Sequence, residues 1–145
     1  TVNKLNLSNC INIIDVSMLG AVNNLNLNGC VNIINVSMLG KVKELNIGNC
    51  IKITNVSDLG NVYSLCLNNC ENIINISNLK NVTKLNILGN ACKKILNIDV
   101  LQHVKFLDVS LRHINYLPHG LKRINVSAGD CKYIIKNFNI YILNI

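Results

Sequence analysis

The chain has 145 residues, half of them apolar, and 14 basic against 7 acidic side chains give it a net charge of +7. This length suits a single domain with one core. No apolar run approaches the roughly 18 residues of a transmembrane helix, so we expect no membrane span. Asn interrupts the apolar residues throughout the chain.

Four similar units follow one another over residues 1–80, with a period of 20. They read TVNKLNLSNCINIIDVSMLG, AVNNLNLNGCVNIINVSMLG, KVKELNIGNCIKITNVSDLG and NVYSLCLNNCENIINISNLK. Self-similarity at a short fixed period predicts a solenoid in which each unit forms one coil. We predict a single domain over residues 1–145, with four regular repeats in 1–80, irregular repeats in 81–131 and a capping strand in 132–145.

Within one unit, the spacing of apolar residues predicts a short strand followed by tight turns. Leu-x-Leu at positions 5 and 7 is a period-2 pattern that places both Leu inward, and stacking would join these strands into one parallel sheet. After position 7 the apolar residues recur every third residue, which suits 3-10 turns. The Asp or Asn at position 15 should cap such a turn. Gly20, Gly40 and Gly60 should end it by adopting backbone angles closed to other residues.

Four of the seven Cys, residues 10, 30, 50 and 70, occupy the same position of successive units. In stacked coils they form a column, and a free Cys packs there as a small apolar residue. A disulfide framework or a zinc site is the alternative, but the chain has no closely spaced Cys pair of the kind that zinc prefers. We therefore expect reduced, buried Cys and an intracellular, reducing setting.

The segments LNLSNCINIIDVS, LNIGNCIKITNVS and LCLNNCENIINIS resemble the LxLxxCxxITD segment of cysteine-containing leucine-rich repeats, such as those of F-box proteins. The resemblance covers residues 1–80 and implies an α/β-type, right-handed, curved solenoid with its parallel sheet on the concave face. Because the period of 20 is shorter than in that subclass, the convex face should carry short turns or 3-10 segments. INYLPHGLK is also similar to LPx-type repeats and, more loosely, to the FNIP repeats frequent in amoebae and giant viruses, which points to such an origin.

Side chains that alternate with the inward Leu residues should form the exposed face of the sheet, where repeat proteins usually bind. We predict a partner-binding surface there, made of Lys4, Asn24, Asn26, Glu44, Asn46, Tyr63, Asn68, Lys84, Asn86, Phe106, Asp108 and Arg123. The alternative for the Asn at position 6 is a purely structural ladder of side-chain amides.

The charge is uneven along the chain. Residues 1–79 hold four basic and four acidic side chains, whereas residues 80–145 hold ten basic and three acidic ones. A basic half can attract nucleic acid or an acidic protein, although aromatic residues for base stacking are few. His103, His113 and His119 lie in the same half, at spacings that match no metal-ligand pair.

We expect a non-enzymatic protein-interaction scaffold with no catalytic residue, no metal and no cofactor. One alternative is a structural component of a large virus particle that assembles by end-to-end self-association of its coils. The other is a nucleic-acid-binding role for the basic C-terminal half.

Overall fold

The structure, a computed structural model, describes residues 2–89, 95, 101–110 and 120–126. These residues form a parallel β-solenoid, as the repeat period predicted. Its seven described strands make one parallel sheet in chain order: β1 Lys4–Asn6, β2 Asn24–Asn26, β3 Glu44–Asn46, β4 Ser64–Cys66, β5 Lys84–Ile87, β6 Phe106–Val109 and β7 Arg123–Val126. Short 3-10 helices occupy the predicted turns of the first three units, at Ser17–Leu19, Ser37–Leu39 and Ser57–Leu59. The predicted capping strand in 132–145 lies outside the described residues.

The pairing register follows the repeat. Leu5 pairs with Leu25, and from β1 to β5 every strand residue pairs with the residue at the same position of the next unit. Leu85 then pairs with Leu107, and Leu107 with Ile124, so the separation in sequence first lengthens and then shortens. Because the strands keep their register, the length changes of the irregular units fall in the connections between them.

The core lies between the sheet and the turns, in columns of equivalent residues. Position 7 shows the pattern: Leu27, Ile47 and Leu67 are each 0% exposed. Full burial of such a side chain stabilises the fold by about 1.5–3 kcal/mol. In the first described coil Val16 is buried, but five core residues are only partly buried: Leu5, Leu7, Cys10, Ile13 and Leu19.

The predicted turn caps are confirmed. The Oδ1 atom of Asn55 accepts a hydrogen bond of 2.9 Å from the backbone N–H of Ser57, the first residue of a 3-10 helix. The same bond recurs at Asp15, Asn35 and Asn75, at 2.8–2.9 Å. Each cap satisfies a backbone donor that the 3-10 helix, or the turn at the same position of the fourth unit, leaves unpaired.

Replacing Asn55 by Ala should therefore lower the free energy of unfolding by about 0.5–2 kcal/mol, measured by urea denaturation. Asn55→Asp is the matched control, because Asp15 makes the same bond in the first unit. Equal losses in the two variants would show that the accepted hydrogen bond is not what stabilises the turn.

The expectation for Gly20, Gly40 and Gly60 is wrong. Their φ angles are −62°, −63° and −59°, which any residue adopts. Glycine is needed there because a Cβ atom would collide with the backbone carbonyl oxygen of the following coil, that of Asp58 in the case of Gly40. The coils touch at this corner, backbone against backbone.

Left-handed backbone occurs instead at position 9, immediately before the Cys. Asn9, Asn49 and Asn69 have φ of 61°, 59° and 56°, and Gly29 and Gly89 have 75° and 73°. Asn and Gly are the residues that tolerate this region best, which explains why only they occupy the position. The restriction of one repeat position to Asn and Gly was the sequence signal for it.

The Cys column is stacked, as predicted, and also makes a specific bond. The thiols of Cys30, Cys50 and Cys70 donate to the backbone carbonyl at position 7 of the preceding coil, over 3.0, 3.2 and 3.1 Å. All five described Cys are free, including Cys66 on the sheet. The other two, Cys92 and Cys131, lie outside the described residues. Burial, with a smaller contribution from the preceding thiol in the column, raises the pKa of Cys50 and of Cys70 to about 12.

This raised pKa makes stability sensitive to alkali. Between pH 9.0, the ordinary pKa of a thiol, and about 12, the unfolded chain binds fewer protons than the folded one. The free energy of unfolding should therefore be unaffected below this window and should fall as pH rises through it. Denaturation followed from pH 7 to 11 should show a shallower decline in the Cys50→Ala/Cys70→Ala variant. Parallel pH curves for variant and wild type would contradict this.

Candidate functional site

The exposed face of the sheet consists of two columns of side chains that alternate with buried Leu, Ile and Val. The first column is Lys4, Asn24, Glu44, Ser64, Lys84, Phe106 and Arg123, and the second is Asn6, Asn26, Asn46, Cys66, Asn86, Asp108 and Asn125. Ten of the residues predicted for partner binding stand in these columns. The other two flank β4: Tyr63 immediately precedes it and Asn68 follows shortly after it. The structure thus brings ten of the twelve predicted residues to one face of the sheet.

Two open depressions run along this face. One of about 450 Å³ lies over β1 to β4, and one of about 370 Å³ lies over β4 to β7. Ser64 and Cys66 line both, so the depressions meet at β4. The two columns therefore border one groove that crosses the strands.

The polar side chains along the groove are largely engaged with one another or with the backbone. Asn24 donates from Nδ2 to Oε2 of Glu44 over 2.8 Å. The Asn side chains of the second column accept from the backbone N–H two positions later, over 3.0 Å at Asn6, Asn26 and Asn46 and 3.3 Å at Asn86. These Asn residues are structurally engaged, but with the backbone and not with one another as the ladder interpretation had it.

Amide-to-amide bonds between coils occur at other repeat positions. Asn49 donates to Asn28 over 2.9 Å, and Asn69 donates to Asn49 over 3.0 Å. Asn81 donates to Asn61 over 2.9 Å at the corner before the strands. Much of the abundant Asn thus joins one coil to the next.

The β4–β7 half of the groove carries a cation–aromatic cluster made of Tyr63, Lys84, Phe106 and Arg123. The Nζ atom of Lys84 lies 5.5 Å from the ring centre of Tyr63 and 5.7 Å from that of Phe106. The Cζ atom of Arg123 lies 5.6 Å from the ring centre of Phe106. These distances are in the range of cation–π attraction, about 0.5–1 kcal/mol each at an exposed site.

Positive charge dominates around this cluster. Lys105 and Lys122 are exposed and come directly before Phe106 and Arg123. Across residues 2–89, 95, 101–110 and 120–126, no ion pair joins Lys84, Arg123 or these two Lys to a carboxylate. Our sequence reasoning left Lys105 and Lys122 out of the predicted surface. The sequence feature that could have identified Lys105 and Lys122 is their position immediately before a strand, which Tyr63 also occupies.

Two groups in the groove bear on its chemistry. Asp108 accepts a 2.6 Å hydrogen bond from Nδ2 of Asn125. Cys66 is half-buried, and burial raises the pKa of its thiol, with a smaller contribution from the negative charge of Asp108 that a backbone hydrogen bond from Asn68 opposes. A neutral thiol is a weak nucleophile, so Cys66 contributes polar surface to the groove and no reactive sulfur at neutral pH.

Other residues considered from the sequence fall elsewhere. His103 is exposed in the turn before β6, and His113 and His119 lie outside the described residues. In the part of the chain that the structure describes, no three His, Cys, Asp or Glu side chains come together as metal ligands. Nor does this part contain a helix with the length and apolar character to cross a membrane.

No protein-family model matches the chain, and no curated protein matches it significantly.

Proposed function

We propose that this protein is a non-enzymatic scaffold of the leucine-rich-repeat type that binds a partner protein through the exposed face of its sheet. The observation that carries the proposal is the groove, in which two columns of side chains are held in fixed register by seven paired strands. Repeat solenoids use such an extended surface for binding. The resemblance of the LxLxxC segments and the short 3-10 helices opposite the sheet support the assignment to that class.

A protein partner suits this groove better than a small molecule does. Small-molecule sites usually enclose most of the ligand, whereas both depressions here are open along the sheet. Binding energy at protein interfaces is concentrated in aromatic and Arg side chains. The groove presents Phe106 and Arg123 together, and Tyr63 lies beside it in contact with Lys84.

The test compares two charge reversals in a pull-down from the source cells. Lys84→Glu changes the groove, whereas Lys41→Glu makes the same change in the exposed turn before β3. We expect the first to abolish recovery of a partner that the wild type retains, and the second to leave it unchanged. Circular dichroism would verify that both variants fold. A partner retained by both variants would contradict binding through the sheet.

A further inference from the structure

We propose that the cation–aromatic cluster recognises an acidic peptide segment of the partner, with at least two carboxylate side chains. This inference rests on the proposed function, because it assumes that the sheet face is the binding surface. It specifies the chemical class of the partner segment and the part of the groove that binds it.

The first support is the geometry of the two cations. Lys84 and Arg123 stand in the same column on β5 and β7, with Phe106 between them on β6. Two strand spacings place their backbones roughly 10 Å apart. Both charged groups lie over the Phe106 ring, which holds them above the sheet instead of leaving them to move freely in water. Positioned cations lose less side-chain entropy when an anion binds.

The second support is the charge around the cluster. Lys105 and Lys122 add two exposed cations beside it, and none of the four has a carboxylate partner among the described residues. A groove lined with charge of one sign concentrates ligands of the opposite sign and accelerates their association. Because the cations are spread over three strands, one carboxylate cannot contact them all. A segment with several acidic side chains can.

The third support distinguishes a peptide from a single-stranded nucleic acid. Binding of single strands without sequence preference depends on aromatic rings that are free to stack with bases. The Phe106 ring is approached by Lys84 and Arg123 from the strands on either side, and Lys84 also lies over Tyr63. In addition, Asp108 lines the same depression, and a phosphate backbone offers its carboxylate no hydrogen-bond donor. A peptide can instead place a backbone N–H beside that carboxylate.

The experiment is fluorescence anisotropy with fluorescein-labelled hexaglutamate as the probe. We expect saturable binding that weakens as salt is raised, and no binding of hexaglutamine. Lys84→Gln/Arg123→Gln should weaken it by roughly tenfold or more. The matched control is Lys41→Gln/Lys52→Gln, which removes the same charge outside the groove and should change affinity by less than about twofold. Phe106→Leu keeps an apolar side chain without the aromatic ring and should weaken binding several-fold.

Three results would overturn the inference. Equal losses in the two double variants would show attraction to net charge alone. Tighter binding of an oligothymidylate, lost in the groove variant, would assign the cluster to nucleic acid. Absence of hexaglutamate binding to the folded wild-type protein would exclude recognition of an acidic peptide by the cluster. The last result leaves the scaffold function standing if Lys84→Glu still abolishes partner recovery, so the two proposals fail separately.

Discussion

Truncating Leu67 to alanine should lower the free energy of unfolding by about 2–5 kcal/mol. Leu67 is 0% exposed and stands in the middle of the position 7 column, between Ile47 and Ile87, which are equally buried. The coils above and below are fixed by strand pairing and by the stacked turns, so they cannot close around the cavity. Such a loss is a large part of the stability of a domain of this size. Denaturation in urea, followed by circular dichroism, would measure it.

Leu7→Ala is the matched control, because Leu7 occupies the same column in the first described coil and is only partly buried. It should lose less stability than Leu67→Ala, since part of its side chain already contacts water. Equal losses at the two positions would indicate that burial does not increase along the stack as the structure shows.

Replacing Gly40 by alanine should destabilise the protein by about 1–3 kcal/mol, which is typical of an overpacked site. The added Cβ would collide with the backbone oxygen of Asp58, an atom that cannot rotate away as a side chain could. Relief requires moving one coil relative to the next, against the strand pairing that sets their spacing. The midpoint of urea denaturation would report the change.

Lys80→Ala is the control for Gly40→Ala. Position 80 is the equivalent corner of the fourth unit, and it already carries an exposed side chain. This change should leave stability within about 0.5 kcal/mol of the wild type. If Gly40→Ala proves equally harmless, the close approach of the two backbones is not a constraint on the fold.

The strands and turn caps were predictable because they depend on one unit at a time. Leu-x-Leu sets which side chains face inward, and Asn55 caps a turn that begins only two positions away. The register of Phe106 and Arg123 also followed from the sequence, because their strands keep inward apolar residues despite irregular unit lengths.

Features that depend on contact between coils were not predictable in the same way. The glycine at position 20 is explained by an oxygen of the following coil, and the Cys thiol by a carbonyl of the preceding one. The candidate site also has a part that was predictable from the sequence and a part that was not. Alternation along a strand placed Lys84 on the exposed face, but its position over Tyr63 and Phe106 depends on side-chain conformations in three coils. The left-handed residues at position 9 are a local feature, and the restriction of that position to Asn and Gly is visible in the sequence itself.

The constant pairing offset between β1 and β5 has an evolutionary consequence. Since each coil contacts only the coils beside it, duplicating or deleting one entire unit would give every remaining unit neighbours of the kind it already has. The same gene could therefore lengthen or shorten its recognition surface in whole steps, without redesigning the interior.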